Sequence, residues 1–266
     1  MNLNFLKLFL ESLKILKNKK IFALFGIEFL FFLLLMILAL VTVTSVAEDV
    51  NQLRNFQQEF TVDENASANY LYENLLSLSN ILNDLIKIVI AAFIILFFIS
   101  GLFNGILWKA SVNLIHGKPL FKDYNKRYFL NFFLLTFIWF VAFAGVFYLL
   151  YQYGFSYGVF AIILILFFYS AWINFSCYAL DKNFSSIMRG FVFAIKKLYI
   201  FVPAFVLLAV ILFLGSYAFG VFNNFFVSFL ASIFLVFIFA WFRIFLITIC
   251  GEQDSKPAKK SADNKY

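Results

Sequence analysis

The chain has 266 residues, of which 64% are hydrophobic and only 13% are charged. Soluble domains contain about 25% charged residues, and a water-soluble chain of this length could not cover so much apolar surface. Two cysteines and one histidine are too few for a disulfide framework or a metal cluster, so we expect no cofactor and no metal. The net charge is +7, but the bases cluster at the ends of apolar runs, which indicates anionic lipid headgroups and not nucleic acid as their partners.

Residues 3–18 predict an amphipathic helix. Lys7, Glu11, Lys14 and Asn18 recur every three or four positions and form one polar stripe on an otherwise apolar helix. Such a helix is typical of the membrane interface, where lysines reach the headgroups. The alternative is a buried helix of a soluble bundle, which the long apolar run that follows disfavours.

Six apolar runs are long enough to span a bilayer as helices. They lie at about residues 21–47, 85–108, 128–151, 157–180, 198–219 and 225–250. The first run could instead be a signal peptide cleaved after residues 44–47, but the apolar regions of signal peptides are only about 7–15 residues long. The sequence therefore predicts an all-α polytopic protein with a single membrane domain over residues 1–251 and a disordered cytoplasmic tail over residues 252–266.

Residues 48–84 form the one long polar interlude. Apolar residues continue at helical spacing on both sides of Asp63, Glu64 and Asn65, which are typical turn and capping residues. This pattern predicts an antiparallel helical hairpin that extends the first two spans and projects outside the membrane. The hairpin is acidic, with Arg54 its only base, and we expect it to offer a surface for partner proteins. Asn65 also begins a glycosylation sequon.

A pair of basic residues precedes the first, third and fifth spans. These pairs end three segments that we predict as interfacial basic helices, so the chain is interpreted as three hairpins, each preceded by such a helix. With the N-terminus inside, only Arg54 and Lys87 of the 21 basic residues lie outside, as the positive-inside rule favours. We therefore predict the cell membrane as the location and a cytoplasmic position for both termini. The expected contacts to anionic headgroups at the inner face are Lys19, Lys20, Lys126, Arg127, Arg189, Lys196 and Lys197.

The same pattern suggests an internal repeat. Without residues 48–84, the three units of basic helix and hairpin would have similar lengths. The alternative is that the units are unrelated, because any hydrophobic hairpin protein carries lysines at the ends of its spans. Gly101 and Gly105 form a GxxxG motif in the second span, which is either a helix-packing site or a chance match.

Two charges lie deep in the predicted spans. Glu28 and Arg243 are each about two helical turns from the inner face, roughly 10 Å by helical rise. Since an unpaired charge in lipid is costly, we predict that they form an intramembrane ion pair between the first and third hairpins. The alternative is a protonated Glu28 with an Arg243 side chain that reaches the headgroups.

The passage before the fifth span has a distinctive set of spaced residues. They are Tyr178, Asp181, Ser185, Arg189, Gly190, Phe191, Lys196 and Lys197. With the six-span pattern, this passage resembles a large group of poorly characterised six-span prokaryotic membrane proteins, which includes the membrane domain attached to some glycerophosphodiester phosphodiesterases. The resemblance implies a six-span fold and carries no catalytic residue, because the attached hydrolase is not in this chain.

Three classes of function follow from these observations. The first is a noncatalytic membrane protein that binds lipids or partner proteins, and this is the function that we predict. The second is a small transporter or channel, for which Glu28, Arg243 and a few asparagines are the available polar groups. The third is a lipid-modifying enzyme, for which Asp181 and His116 are the available acid–base pair.

Overall fold

Within the residues that the structure describes, the chain consists of α-helices and short connections. The computed structural model describes residues 3–59, 68–154, 157–181, 183, 185–220 and 225–254. The helices in these ranges are α1 (Leu3–Ile15), α2 (Ile21–Glu59), α3 (Ala68–Ile115), α4 (Lys126–Gln152), α5 (Tyr157–Asp181), α6 (Ser186–Lys196), α7 (Leu198–Gly220) and α8 (Phe225–Asp254). Of these, α2, α3, α4, α5, α7 and α8 are long and apolar enough to span a membrane. The prediction of an all-α, multi-pass membrane protein with six candidate spans is confirmed.

Helices α2 and α3 are much longer than a bilayer requires. They contain 39 and 48 residues, which corresponds to about 58 and 72 Å of helix, whereas the hydrocarbon core is about 30 Å thick. Residues 31–59 of α2 and 68–100 of α3 belong to a structural unit of their own. Within this unit, the exposed pair Lys87 and Asp84 joins positions one turn apart at 2.8 Å. The predicted turn at residues 63–65 lies outside the described residues.

The other unit comprises residues 1–30 and 101–266, and α8 is at its centre. Helices α1, α5 and α7 all pack against α8. Residues 240–250 of α8 are almost entirely buried, and their rings pack with aromatic residues of α1, α5 and α7. Since lipid is as apolar as these side chains, such close packing depends on shape and on hydrogen bonds more than on a hydrophobic driving force.

Helix α1 packs lengthwise against α8. Phe5 lies edge-on to Phe245, and Phe9 contacts both Phe245 and Trp241. The indole Nε1 of Trp241 donates a hydrogen bond of 3.1 Å to the hydroxyl of Ser12, which is fully buried. The predicted amphipathic helix is therefore present, but its apolar side is bound to the protein and not to lipid alone.

Helix α6 runs back alongside α5. The guanidinium of Arg189 contacts Asp181 at 2.8 Å, whereas the hydroxyl of Tyr169 donates to the backbone oxygen of Ala194 at 2.8 Å. Asp181 and Tyr169 are about 18 Å apart along α5, so α6 is antiparallel to it over most of its length. Its outward side is apolar, with Met188, Val192 and Ile195 well exposed. The expectation of a helix lying flat on the surface is wrong for α6, because its inner side fits against α5.

A glycine makes this close approach possible. A side chain at Gly190 would begin 2.5 Å from Oδ1 of Asn174 and 3.2 Å from its Cα, so only a residue without Cβ fits. The Nδ2 of Asn174 donates within α5 to the backbone oxygen of Ser170 at 2.9 Å. Gly190 therefore sets the distance between α5 and α6, as small residues do between helices in membranes.

The predicted interfacial helix before the third span is absent. Helix α3 continues to Ile115, well beyond the predicted span end at 108, and Gly117 ends it with a positive φ of 68°. Residues 116–125 then form turns, and Pro119 is part of a turn and does not begin a helix. This removes the basic helix from the second of the three proposed repeat units. Lys109, expected in the basic segment, lies inside α3 and is 2% exposed.

The GxxxG motif makes room for side chains of α4. A Cβ at Gly101 would lie 2.6 Å from the ring of Phe133, and one at Gly105 would lie 3.4 Å from the ring of Phe129. The two glycines therefore accommodate phenylalanine rings from the next helix, which is a packing role.

Candidate functional site

The structure brings the two deep charges together. Arg243 donates through Nη1 and Nη2 to the two carboxylate oxygens of Glu28, at 2.5 and 2.8 Å. The residues are 3% and 1% exposed. This bidentate geometry is the strongest form of an arginine–carboxylate contact, and it joins α2 to α8.

Aromatic residues enclose the pair. The guanidinium carbon of Arg243 lies 5.3 Å from the ring centre of Trp108 on α3, which is a cation–π distance. Three residues before Glu28, Phe25 of α2 contacts Phe237 of α8, with ring centres 4.7 Å apart. The remaining nitrogen, Arg243 Nε, is buried without a hydrogen-bond partner in the described part of the chain. Because both charges are neutralised locally, the pair serves as a cross-link between helices at a depth where single charges are costly.

The ends of α3, α5 and α8 meet the beginnings of α2 and α4, and we call this region the basic end. The ring of Tyr178, near the end of α5, stacks on that of Tyr128 at the start of α4, with centres 5.6 Å apart. Cys177 Sγ lies 4.0 Å from Cys250 Sγ of α8. Lys20 Nζ donates to the backbone oxygen of Lys118 at 3.4 Å. These contacts gather bases from distant parts of the sequence into one region.

The predicted lipid-contacting residues differ in their surroundings. Lys19, Lys20, Lys126 and Arg127 are exposed and lie at the basic end. Arg189 is engaged by Asp181. Lys196 is the last residue of α6 and Lys197 comes directly after it. Because α6 runs back along α5, both lysines lie away from the basic end. Lys197 Nζ donates to the hydroxyl of Tyr199 at 3.1 Å.

The basic end contains an open polar cavity of about 520 Å³, which we call the α3–α4 pocket. Its volume lies within the range of small-ligand sites, about 300–1,000 Å³. It is formed by the connection between the two helices and by the first turns of α4. The lining residues are Asp123, Tyr124, Asn125, Arg127, Tyr128 and Asn131.

Tyrosines form the floor of this pocket. The hydroxyls of Tyr124 and Tyr128 donate to the backbone oxygens of Ile106 and Gly105 on α3, at 3.0 and 3.1 Å. Burial raises the pKa of the Tyr124 hydroxyl, so it stays a neutral donor. Behind the floor, Nζ of the buried Lys109 lies 5.9 Å from the ring centre of Tyr128. The two hydroxyl hydrogen bonds therefore hold the tyrosines of the floor against α3.

A buried asparagine holds the rim. Asn113, which is 1% exposed, donates through Nδ2 to the backbone oxygens of Leu120 and Lys122, at 3.0 and 2.8 Å. The next residue, Asp123, adopts a positive φ of 62°, a conformation that aspartate tolerates better than most residues. Asn125 then caps α4 by accepting a hydrogen bond from the backbone of Arg127. The rim is thus fixed in position by hydrogen bonds on both sides of Asp123.

The two charges of the pocket are available to a ligand. Asp123 and Arg127 are both exposed. Within the described residues, neither side chain has an ion-pair partner. The residues that line the pocket therefore include one carboxylate and one guanidinium.

The acid–base pair considered for enzyme chemistry has other contacts. Nδ1 of His116 lies 2.8 Å from the backbone oxygen of Val112, at the end of α3. The carboxylate of Asp181 is bound by Arg189. His116 and Asp181 thus each contact a residue that lies close to them in the sequence.

Sequence reasoning did not find the α3–α4 pocket. Lys109 and Asn113 lie just beyond residue 108, the predicted end of the second span, and nothing in the local sequence pattern marks them as buried. The available signal was Asn125 before Lys126, which is a typical N-cap and defines where α4 begins.

The fold defines an integral membrane protein with six candidate spans. Comparison of the chain with protein-family models, curated proteins and solved structures finds no match.

Proposed function

We propose that this is a noncatalytic membrane protein that binds phospholipid headgroups at its basic end. The observation that carries the proposal is the α3–α4 pocket, in which Arg127 is exposed and, within the described residues, has no ion-pair partner. A guanidinium matches the geometry of a phosphate group through two parallel hydrogen bonds. A headgroup bound there would have its acyl chains beside the apolar surface of α4.

The surrounding bases support the same function. Lys19, Lys20 and Lys126 are exposed at the basic end and would draw anionic lipids toward the pocket, at about 1 kcal/mol per base near the surface. In this proposal the basic end faces the cytoplasm, in line with the positive-inside rule, and both termini are cytoplasmic. Lys196 and Lys197 lie away from the basic end along α5 and are not part of this proposed site.

The long extensions of α2 and α3 complete the proposal. Their acidic segments would project on the opposite side of the membrane and provide the surface for partner proteins. The resemblance to six-span prokaryotic membrane proteins is consistent with this arrangement, and we propose that the chain is related to them.

Transport is the second function considered from the sequence. The buried pair of Glu28 and Arg243 is the feature that would support it, since charges inside spans often mark ion or solute paths. Both carboxylate oxygens are occupied by the guanidinium, and the pair is 1% and 3% exposed. This geometry favours a structural role and leaves lipid binding as the function with better support.

The test compares two single-charge variants of the full chain in mixed micelles. Arg127→Gln should lower the affinity for a titrated phospholipid about tenfold, the loss expected for charge-assisted hydrogen bonds. Lys122→Gln removes the same charge from a side chain that does not line the pocket, and should cost clearly less. Measurement at high ionic strength screens the exposed charges and sharpens the contrast. Equal losses in the two variants would show that diffuse surface charge, and not the pocket, binds the lipid.

A further inference from the structure

The wall of the α3–α4 pocket carries an acid where a purely anionic ligand would be repelled. Asp123 is surrounded in sequence by Lys118, Lys122, Lys126 and Arg127, yet within the described residues it pairs with none of them. A carboxylate with no partner at the rim opposes a headgroup that bears only negative charge. It favours a headgroup that also bears a positive charge.

We propose that the pocket selects a zwitterionic headgroup with a primary ammonium, of the phosphatidylethanolamine type. This rests on the proposed function, because it assigns the phosphate to Arg127. The ammonium would be bound by the carboxylate of Asp123, which can accept a charge-assisted hydrogen bond from it. Asp123 and Arg127, which both line the pocket, would thus match the ammonium and the phosphate of this ligand.

The fixed backbone geometry of the pocket rim supports selective binding of one headgroup over a general attraction of charged lipids. Asp123 holds a left-handed backbone conformation, and Asn113 secures the preceding residues through two hydrogen bonds. Strained backbone conformations persist where the surrounding structure holds them, often at ligand sites. The backbone that carries the Asp123 carboxylate is therefore held in place beside the pocket.

The ring of Tyr124 adds a second feature. It lines the pocket next to Asp123 and stacks on Phe129, with ring centres 5.5 Å apart and planes 27° from parallel. A tyrosine face attracts ammonium groups through its π electrons. A small primary ammonium bound between the Asp123 carboxylate and the Tyr124 ring would interact with both groups.

The experiment titrates the full chain in mixed micelles with phosphatidylethanolamine and phosphatidylglycerol that have identical acyl chains. The wild-type protein should bind the ethanolamine lipid about tenfold more tightly, the ratio expected for one charge-assisted hydrogen bond. Asp123→Asn should remove this preference. Glu11→Gln is the control, because it removes a half-exposed carboxylate that does not line the pocket, and it should keep the preference.

The outcomes separate the two proposals. If Arg127→Gln weakens both lipids but Asp123→Asn leaves their ratio unchanged, the pocket binds phospholipid without selecting the ammonium, and the inference is overturned. If Arg127→Gln changes neither lipid, the proposed function fails as well. Glycerophosphoethanolamine and inorganic phosphate serve as soluble competitors. Displacement of the lipid by either one at similar concentrations would show that the ligand is a soluble phosphate compound and would overturn the assignment to a membrane lipid.

Discussion

The buried pair of Glu28 and Arg243 allows a quantitative test of the packing between α2 and α8. The two residues share two hydrogen bonds and are almost fully buried. Removing one partner of such a pair leaves the other uncompensated, which typically costs about 3–5 kcal/mol of stability. Glu28→Gln should fall in this range. Arg243→Gln should cost about 1 kcal/mol more, because it also removes the guanidinium from the ring of Trp108.

The double variant Glu28→Gln/Arg243→Gln is the informative one. It leaves no buried charge, and its two amides can still hydrogen-bond to each other. Its cost should therefore be smaller than the sum of the single costs by about 2–3 kcal/mol, the upper part of the range for directly contacting residues. The assay is equilibrium unfolding in mixed micelles, followed by circular dichroism as the fraction of denaturing detergent rises.

The control is a second ion pair in the same unit. Lys7 and Glu11 on α1 are 3.9 Å apart and mostly exposed, so the same cycle on them should give a coupling of at most about 0.5 kcal/mol. A Glu28–Arg243 coupling as small as that of the control would refute the reasoning, since the two charges would then be solvated independently.

Two more predictions concern helix packing and orientation. Gly190→Ala should destabilise the protein by about 1–3 kcal/mol, because the new methyl group overlaps Asn174, whereas Gly145→Ala, with no atom within 4 Å of its Cβ, should be close to neutral in the same unfolding assay. Single cysteines at Gln52 and Lys118, in a cysteine-free background, should react with an impermeant maleimide from opposite sides of intact cells, and labelling from one side would contradict the proposed topology.

The spans were predictable because every apolar residue of a span adds to the same hydropathy signal. A helix that crosses lipid must satisfy its backbone internally and remain apolar over about 20 residues, so length and composition suffice to find it. The depths of Glu28 and Arg243 also follow from the sequence, because helical rise converts a residue number into a distance. Their meeting in the structure depends on α2 lying beside α8, which the sequence does not specify.

The placement of α6 was not predictable from its pattern. An amphipathic period identifies an apolar side but does not tell whether that side contacts lipid or another helix. The deciding features are single atoms: the missing Cβ of Gly190, and the hydroxyl of Tyr169 against Ala194. The same holds for the α3–α4 pocket, since turns such as residues 116–125 carry no periodicity and Asn113 acts through two carbonyl oxygens seven and nine residues away.

The distribution of buried polar groups supports the proposal that the basic end binds a ligand. Most of the described span surface is apolar and exposed, so lipid solvates it, and contacts between such surfaces are easily exchanged for contacts with acyl chains. A fixed cavity requires contacts that lipid cannot replace, which in this setting are hydrogen bonds and steric fits. In residues 101–115 the buried polar groups are Lys109, Ser111 and Asn113, all in the last two turns of α3. Asn113 holds the turn beside the α3–α4 pocket through two hydrogen bonds, and the proposed recognition function would account for a costly polar residue inside α3.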